Sequence, residues 1–538
     1  MKRKQKTKDE MRGEYFGSLE KFISIVFLFM MVMVFPLYVR EQYSGIGNAK
    51  YSVFYISTLI YLAVSLILYI TKIFPRIKEK TVFRGFGDKV STLDLFVFSY
   101  GFFVLLSYLL SEHKEYALRG ADGWQMGLIS QMMFVGIYFF LSRQQLHGTG
   151  ALILHLVGSG ITFLLGFLHR FQIDPLGMYE GLNLDQMREF LSTMGQATWY
   201  SSYIGTVFPI GMVLLFVVKE RKWRISLIVY NIISFAIIVT QNSDSAFMAL
   251  AGIFLLFAVF SCGERAKWLV FWENMILMWG TFVAVGIMQR ILADRVIPLN
   301  QLSLFFSQGM LSVVLLLISI IFYVLYKKVP EDKEIVVMKL TRMLVITIAV
   351  AAALLLPALL LFIYWNTNGQ LLSWFGYQSG NNYLYFDESW GNNRGLSWML
   401  AWQEYWRMPL HQKLFGVGPD AFSAHMYMVE EVQQRLHDLW GNLTLTNAHN
   451  EYLNSLVCYG FLGLISWIGV LAGGIIIFFK KAKEQPLFLG AALCIMGYAC
   501  HNVFCYQQVC CTPFVFIILG VAESLTKQEK SNTIKKNH

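Results

Sequence analysis

Apolar runs separated by short polar segments dominate the chain. About fourteen runs approach or reach the roughly 17–25 residues a helix needs to cross a bilayer. They lie near 22–38, 53–70, 93–110, 126–141, 151–168, 200–218, 225–240, 246–260, 268–287, 304–326, 343–364, 452–479, 487–504 and 513–521. In hydrocarbon every backbone N–H and C=O must be satisfied within its own segment, so such runs predict helices. The expected fold is an all-α polytopic membrane protein of about 12–14 transmembrane helices. One polar segment is long, 365–448, between the eleventh and twelfth spans. Its many aromatics, among them Trp374, Trp390, Trp398, Trp402 and Trp406, argue against disorder. Trp398, Trp402 and Tyr405 recur at helical spacing, which predicts an amphipathic helix at the membrane surface. The expected divisions are a basic N-terminus (1–21), a first helical block (22–364), the long loop (365–448), a last helical block (449–523) and a basic tail (524–538).

Composition agrees with a membrane protein: 56% of residues are hydrophobic, 16% aromatic and only 14% charged, with a mean hydropathy of +0.51. A net charge of +10 would suggest a nucleic-acid partner in a soluble protein. Here the basic residues sit between apolar runs and report topology instead. They alternate along the chain: Lys2 and Lys4, then Lys80 and Arg84, Arg143, Lys222 and Arg224, Arg265 and Lys267, Lys327 and Lys328, Lys480 and Lys481, and Lys527. Retention of Lys and Arg on the inner side predicts a multi-pass protein of the plasma membrane, with both termini cytoplasmic and 365–448 external. No small-residue cleavage site follows the first run, which reads as an uncleaved span. Six of the seven cysteines lie between Cys458 and Cys511 without paired or metal-type spacing, as buried thiols do. No acidic pair has ligand spacing, so neither metal nor cofactor is expected.

The candidate chemistry gathers where the long loop returns to apolar sequence, at Asn447-Ala448-His449-Asn450-Glu451-Tyr452-Leu453. Asn447 is a good N-cap. His449 would then fall in the first helical turn, where the positive end of the helix dipole disfavours imidazolium and leaves a ring able to accept a proton. Three pieces stand in order: Gly416-Val417-Gly418-Pro419-Asp420-Ala421-Phe422, His449-Asn450-Glu451-Tyr452-Leu453 and Gly460-Phe461-Leu462-Gly463-Leu464. Together with the long loop before them, they resemble the O-antigen ligase and polymerase family. Weaker similarities are Ser192-Thr193-Met194-Gly195-Gln196 and His501-Asn502-Val503-Phe504.

The resemblance implies a GT-C-like membrane glycosyltransferase that moves a glycan from a polyprenyl-pyrophosphate donor to a glycan, lipid or protein acceptor. It implies His449 as the base, and Arg394, in Asn392-Asn393-Arg394-Gly395, as similar to the arginine that opens a family helix. Arginine suits pyrophosphate because its planar fork binds oxygens bidentately and keeps its charge. Arg290 and Arg295 are further candidate contacts to the donor, and Asp420, Asn450 and Glu451 candidate contacts to substrate. The Gly416–Pro419 turn reads as structural, with Asp420 holding His449 or a loop amide. Glu451 is the alternative base or an orienter of the acceptor. One departure stands out: at Asn242-Ser243-Asp244-Ser245 the family commonly carries Ser-Arg-Gly, so Asp244 reverses a charge there. A transporter or flippase of lipid-linked sugars would explain the spans equally well, but would be expected to show internal repeats. An assembly scaffold without chemistry would be indifferent to loss of His449.

Overall fold

The computed structural model describes residues 8–78, 90–144, 148–369, 384–441 and 444–537. Lys2, Lys4, Lys80, Arg84 and Trp374 lie outside them. The described residues are almost wholly helical, with one short antiparallel pair, Phe190–Leu191 against Gly195–Gln196. Ten helices among them are long and apolar enough to cross a membrane. Three shorter apolar helices, Leu128–Leu141, Ser245–Ser261 and Leu487–His501, are packed among these. The protein is therefore an all-α polytopic membrane protein. The run expected at 304–326 is divided at Gly309 into Gln301–Gln308 and Met310–Lys327.

The interior is built around Ala197–Val207, Pro209–Val217 and Leu487–His501, most of whose side chains are buried. At the periphery, Met310–Lys327 and Glu331–Gly369 leave Leu317, Ile321, Leu355 and Leu360 exposed. That is the composition expected of helices faced by acyl chains. Glu331–Gly369 continues past the expected start of the long loop at 365, and there the Thr367 and Asn368 side chains donate to the Ile363 and Tyr364 carbonyls of the preceding turn. Within the rest of that loop the chain folds into Trp390–Arg407, Leu410–Phe415, Phe422–Met426 and Glu430–Trp440. The helix predicted around Trp398–Tyr405 is present. Its inner face buries Leu396, Leu400, Ala401 and Tyr405, while Trp402 and Trp406 stay exposed.

Two glycines fix how this loop docks. The helix Glu451–Lys481 is interrupted at Gly460, whose φ of +70° and ψ of −176° are not helical. The break frees the carbonyls of Val457 and Cys458, which accept hydrogen bonds from the amides of Val417 (3.1 Å) and Gly418 (3.0 Å). Gly416 makes the approach possible: its φ is +80°, and a methyl group there would collide with the Cys458 carbonyl. The turn thus uses its amides on protein carbonyls, which gives it a structural role. Gly416→Ala is expected to lower stability by at least ~1–2 kcal/mol from the left-handed backbone alone, with the collision added. Thermal unfolding in detergent, followed by tryptophan fluorescence, would show it as a lowered midpoint.

At the far end of the bundle Asp94 is fully buried. Its carboxylate accepts from Lys527 Nζ (2.8 and 3.1 Å), Tyr138 Oη (2.9 Å), Arg143 Nη1 (3.3 Å) and the Ser91 amide (2.9 Å). Arg143 and Lys527, assigned to one side by charge distribution, meet there. The contact pins the last helix, Thr512–Asn537, against the rest of the bundle.

Candidate functional site

The helix after the long loop begins at Glu451, three residues beyond a start capped by Asn447. Asn450 is its N-cap, its side-chain oxygen accepting from the amides of Tyr452 and Leu453, both at 3.0 Å. Asn447 instead accepts from the His449 amide at 2.9 Å, an Asx turn that competes with helix. His449 therefore lies outside the helix with a left-handed φ of +49°. A non-glycine residue in that region is uncommon and stays there only when its surroundings impose it. They do so from three directions. Asn454 accepts from the Ala448 amide (3.3 Å), Ser397 donates to the Ala448 carbonyl (3.3 Å), and the Tyr506 ring lies edge-on to the His449 ring with centroids 5.4 Å apart. The imidazole pKa is drawn down to about 4, first by burial and then by the nearby Arg394 charge. Burial and the Arg394 charge thus favour the neutral ring, with His449 lying outside the helix rather than in its first turn.

Arg394 stands in the first turn of Trp390–Arg407 and donates through Nη1 to the Gly391 carbonyl at 2.9 Å. That helix is fixed against the last turns of the bundle by Trp398, which stacks on Phe504 with centroids 5.9 Å apart. Trp398 is thus a packing residue. The Arg394 charge also acts on Asp244, whose pKa is raised by burial against the lowering effect of Arg394. Asp244 makes no capping hydrogen bond with its side chain; it accepts from Asn300 Nδ2 at 2.6 Å. The charge-reversed position therefore faces the same arginine as His449 does.

Behind these residues His501 is fully buried. Its Nε2 is 2.7 Å from Ser201 Oγ and 2.9 Å from Ser245 Oγ, and its Nδ1 is 3.3 Å from Asn502 Oδ1. The Asn502 carbonyl in turn accepts from the Glu451 amide at 2.9 Å. Three stretches singled out in the sequence, at 242–246, 447–453 and 501–504, are in this way one connected group. Ser201 was not legible, since a serine in an apolar helix carries no signal of its own.

Asp420 and Glu451 lie on the protein side of the His449 loop. Asp420 is largely buried and accepts through Oδ2 from the amides of Ala121 (2.8 Å) and Met126 (3.1 Å). Burial pushes its carboxyl up to about 7, against the pull of those two amides. The expectation that it holds a loop amide is met, on the 121–126 loop. Glu451 is 1% exposed; its carboxylate accepts from Ser455 Oγ (2.7 Å) and the Gln507 amide (2.6 Å). Arg290 and Arg295 are at this end of the bundle but exposed. Arg290 donates to the Gln308 carbonyl at 2.8 Å, and no described contact joins either residue to His449. Among the described residues no group of three or more His, Cys, Asp or Glu side chains is placed to hold a metal ion.

A base in its accepting form, an arginine whose field reaches it, and exposed aromatics on the flanking helix can together bind an anionic group and take a proton. A family model described as O-antigen ligase matches residues 296–468. The matched segment contains Arg394, Asp420, His449 and Glu451; Asp244 and His501 lie outside it. No curated protein matches the chain. The protein is a polytopic membrane protein in which residues 296–468 match a family model described as O-antigen ligase.

Proposed function

We propose that the chain is a metal-independent, O-antigen ligase-like glycosyltransferase of the plasma membrane, which moves a glycan from a polyprenyl-pyrophosphate donor to an acceptor hydroxyl on the external face. The observation that carries this reading is the pairing, inside the family-matched segment, of a neutral His449 with Arg394. His449 takes the proton as the acceptor hydroxyl attacks the anomeric carbon. Arg394 binds the pyrophosphate and stabilises the charge that develops as it leaves. Arg290 and Arg295, exposed at the same end, offer outer contacts to the donor. Asp420, Asn450 and Glu451 are buried and act through the shape of the His449 loop. The Lys- and Arg-rich ends of the other face support cytoplasmic termini and an external His449 site.

Purified protein in detergent, given a polyprenyl-pyrophosphate glycan and an acceptor, is expected to form the glycoside and to do so in the presence of a chelator. A single added unit marks a ligase, and a ladder of lengths marks a polymerase of the same family. Folded protein that forms no product, yet carries lipid-linked sugar across vesicles, would replace this reading with a transporter.

A further inference from the structure

Asp420 and Glu451 line one small, partly open cavity of about 10 Å³, the room taken by one water. Its wall includes Gln131, Asn447, Asn454, Tyr506 and Gln507. Those groups are polar enough to give a water the two to four partners it needs. Asn447 and Asn454 are also the two side chains that hold the His449 loop by its amides. The charged or titratable groups facing the two carboxylates are few. Tyr116 comes from the 114–119 helix, Tyr100 from the 92–110 helix, Tyr452, Cys458 and Tyr459 from the helix of Glu451 itself, and Tyr498, Cys505 and Cys511 from the last part of the chain. None of these is a cation at neutral pH. Arg394 acts on His449 and Cys505. Two carboxylates lining one small site, with no cation among these described groups, cannot both ionise at low cost.

Resting on the glycosyltransferase reading for its kinetic arm only, we propose that Asp420 and Glu451 share a single proton through a water in this cavity, and that this neutralised pair positions the His449 loop. Glu451 is the proton's main seat: Asp420 receives two backbone amides, which can only donate, whereas one of the two donors to Glu451 is the Ser455 hydroxyl, which can turn to accept from a protonated carboxyl. Asp420 and Glu451 are positioning residues: they act on His449 through Asn447 and Asn454. As pH rises above neutral the shared proton is lost, two negative charges face one cavity, and the loop loosens. Transfer therefore falls on the alkaline side, at a pH where His449 is already neutral.

Infrared spectroscopy of the purified full chain tests the pair without any assay. A protonated-carboxyl band at neutral pH that disappears in Glu451→Gln is expected, together with its loss in the wild type as pH is raised. Absence of such a band in the folded wild type at neutral pH would overturn the proposal, whether or not the protein transfers glycan. In the kinetic arm, Glu451→Gln, which keeps a neutral group, should retain more transfer than Glu451→Ala and should lose the alkaline limb. An alkaline limb unchanged in Glu451→Gln would also overturn it. A protein that shows the band but makes no glycoside leaves the proton pair standing and removes the glycosyltransferase reading instead.

Discussion

Replacing His449 by Asn is expected to lower the rate of glycan transfer by about 10²–10⁴, the contribution of a positioned general base, while the protein stays folded. Asn is the right substitution because His449 holds a left-handed φ of +49°, which Asn tolerates and Ala does not. The structural loss includes the ring's edge-on contact with Tyr506, about 0.5–1.5 kcal/mol. Matched unfolding midpoints with a collapsed rate would separate chemistry from folding; equal rates would remove His449 from the mechanism. The wild-type pH profile carries a second check. The base must be unprotonated, so transfer rises with pH through the His449 pKa and levels off above it, until the alkaline limb set by Asp420 and Glu451. With that pKa near 4, the acid limb lies well below the usual histidine range of about 6.5.

Arg394→Gln is expected to cost about 10²–10³ in rate, as the removal of one preorganised group at a developing charge does. It should also move the acid limb upward, because the Arg394 charge is the second cause, after burial, of the depressed His449 pKa. The shift is partial, since burial remains. Arg394→Lys separates the two effects: it keeps the charge and hence most of the acid limb, but loses the planar fork. A rate measured across pH for the three proteins would show this. If Arg394→Gln leaves both rate and limb in place, the arginine neither meets the donor nor faces His449.

The spans were legible because hydrocarbon leaves the backbone no alternative to helix, and because Lys and Arg cluster between apolar runs. The Gly416 turn and Gly460 were legible as glycines but not as partners: that Val417 and Gly418 hydrogen-bond to the helix opened at Gly460 depends on a contact between separate segments. The same limit explains the helix start. Asn447 and Asn450 are equally good caps by residue type, and tertiary bonds to the Asn502 carbonyl and to Ser397 favour the second. His449 and Arg394 could be named from their motif, and the structure brings their charges within reach of each other. The burial of Glu451 could not be read from sequence, because a glutamate in a first helical turn ordinarily faces solvent and favours the dipole. Asp244 was legible as a charge reversal, yet its partner Asn300 was not.

Asp94 has a consequence for how the chain is made. Its partners Tyr138 and Arg143 follow about fifty residues later, but Lys527 lies 433 residues away. A ribosome adding about 5–20 residues per second leaves that carboxylate waiting for Lys527 through nearly the whole of synthesis. Arg143 and Tyr138 shield the charge in the interval, and the last helix, on leaving the ribosome, completes the site. A chain that stops before Lys527 would insert its spans and still lack the cation that closes the bundle, so quality control in the membrane would meet it as an unfinished protein.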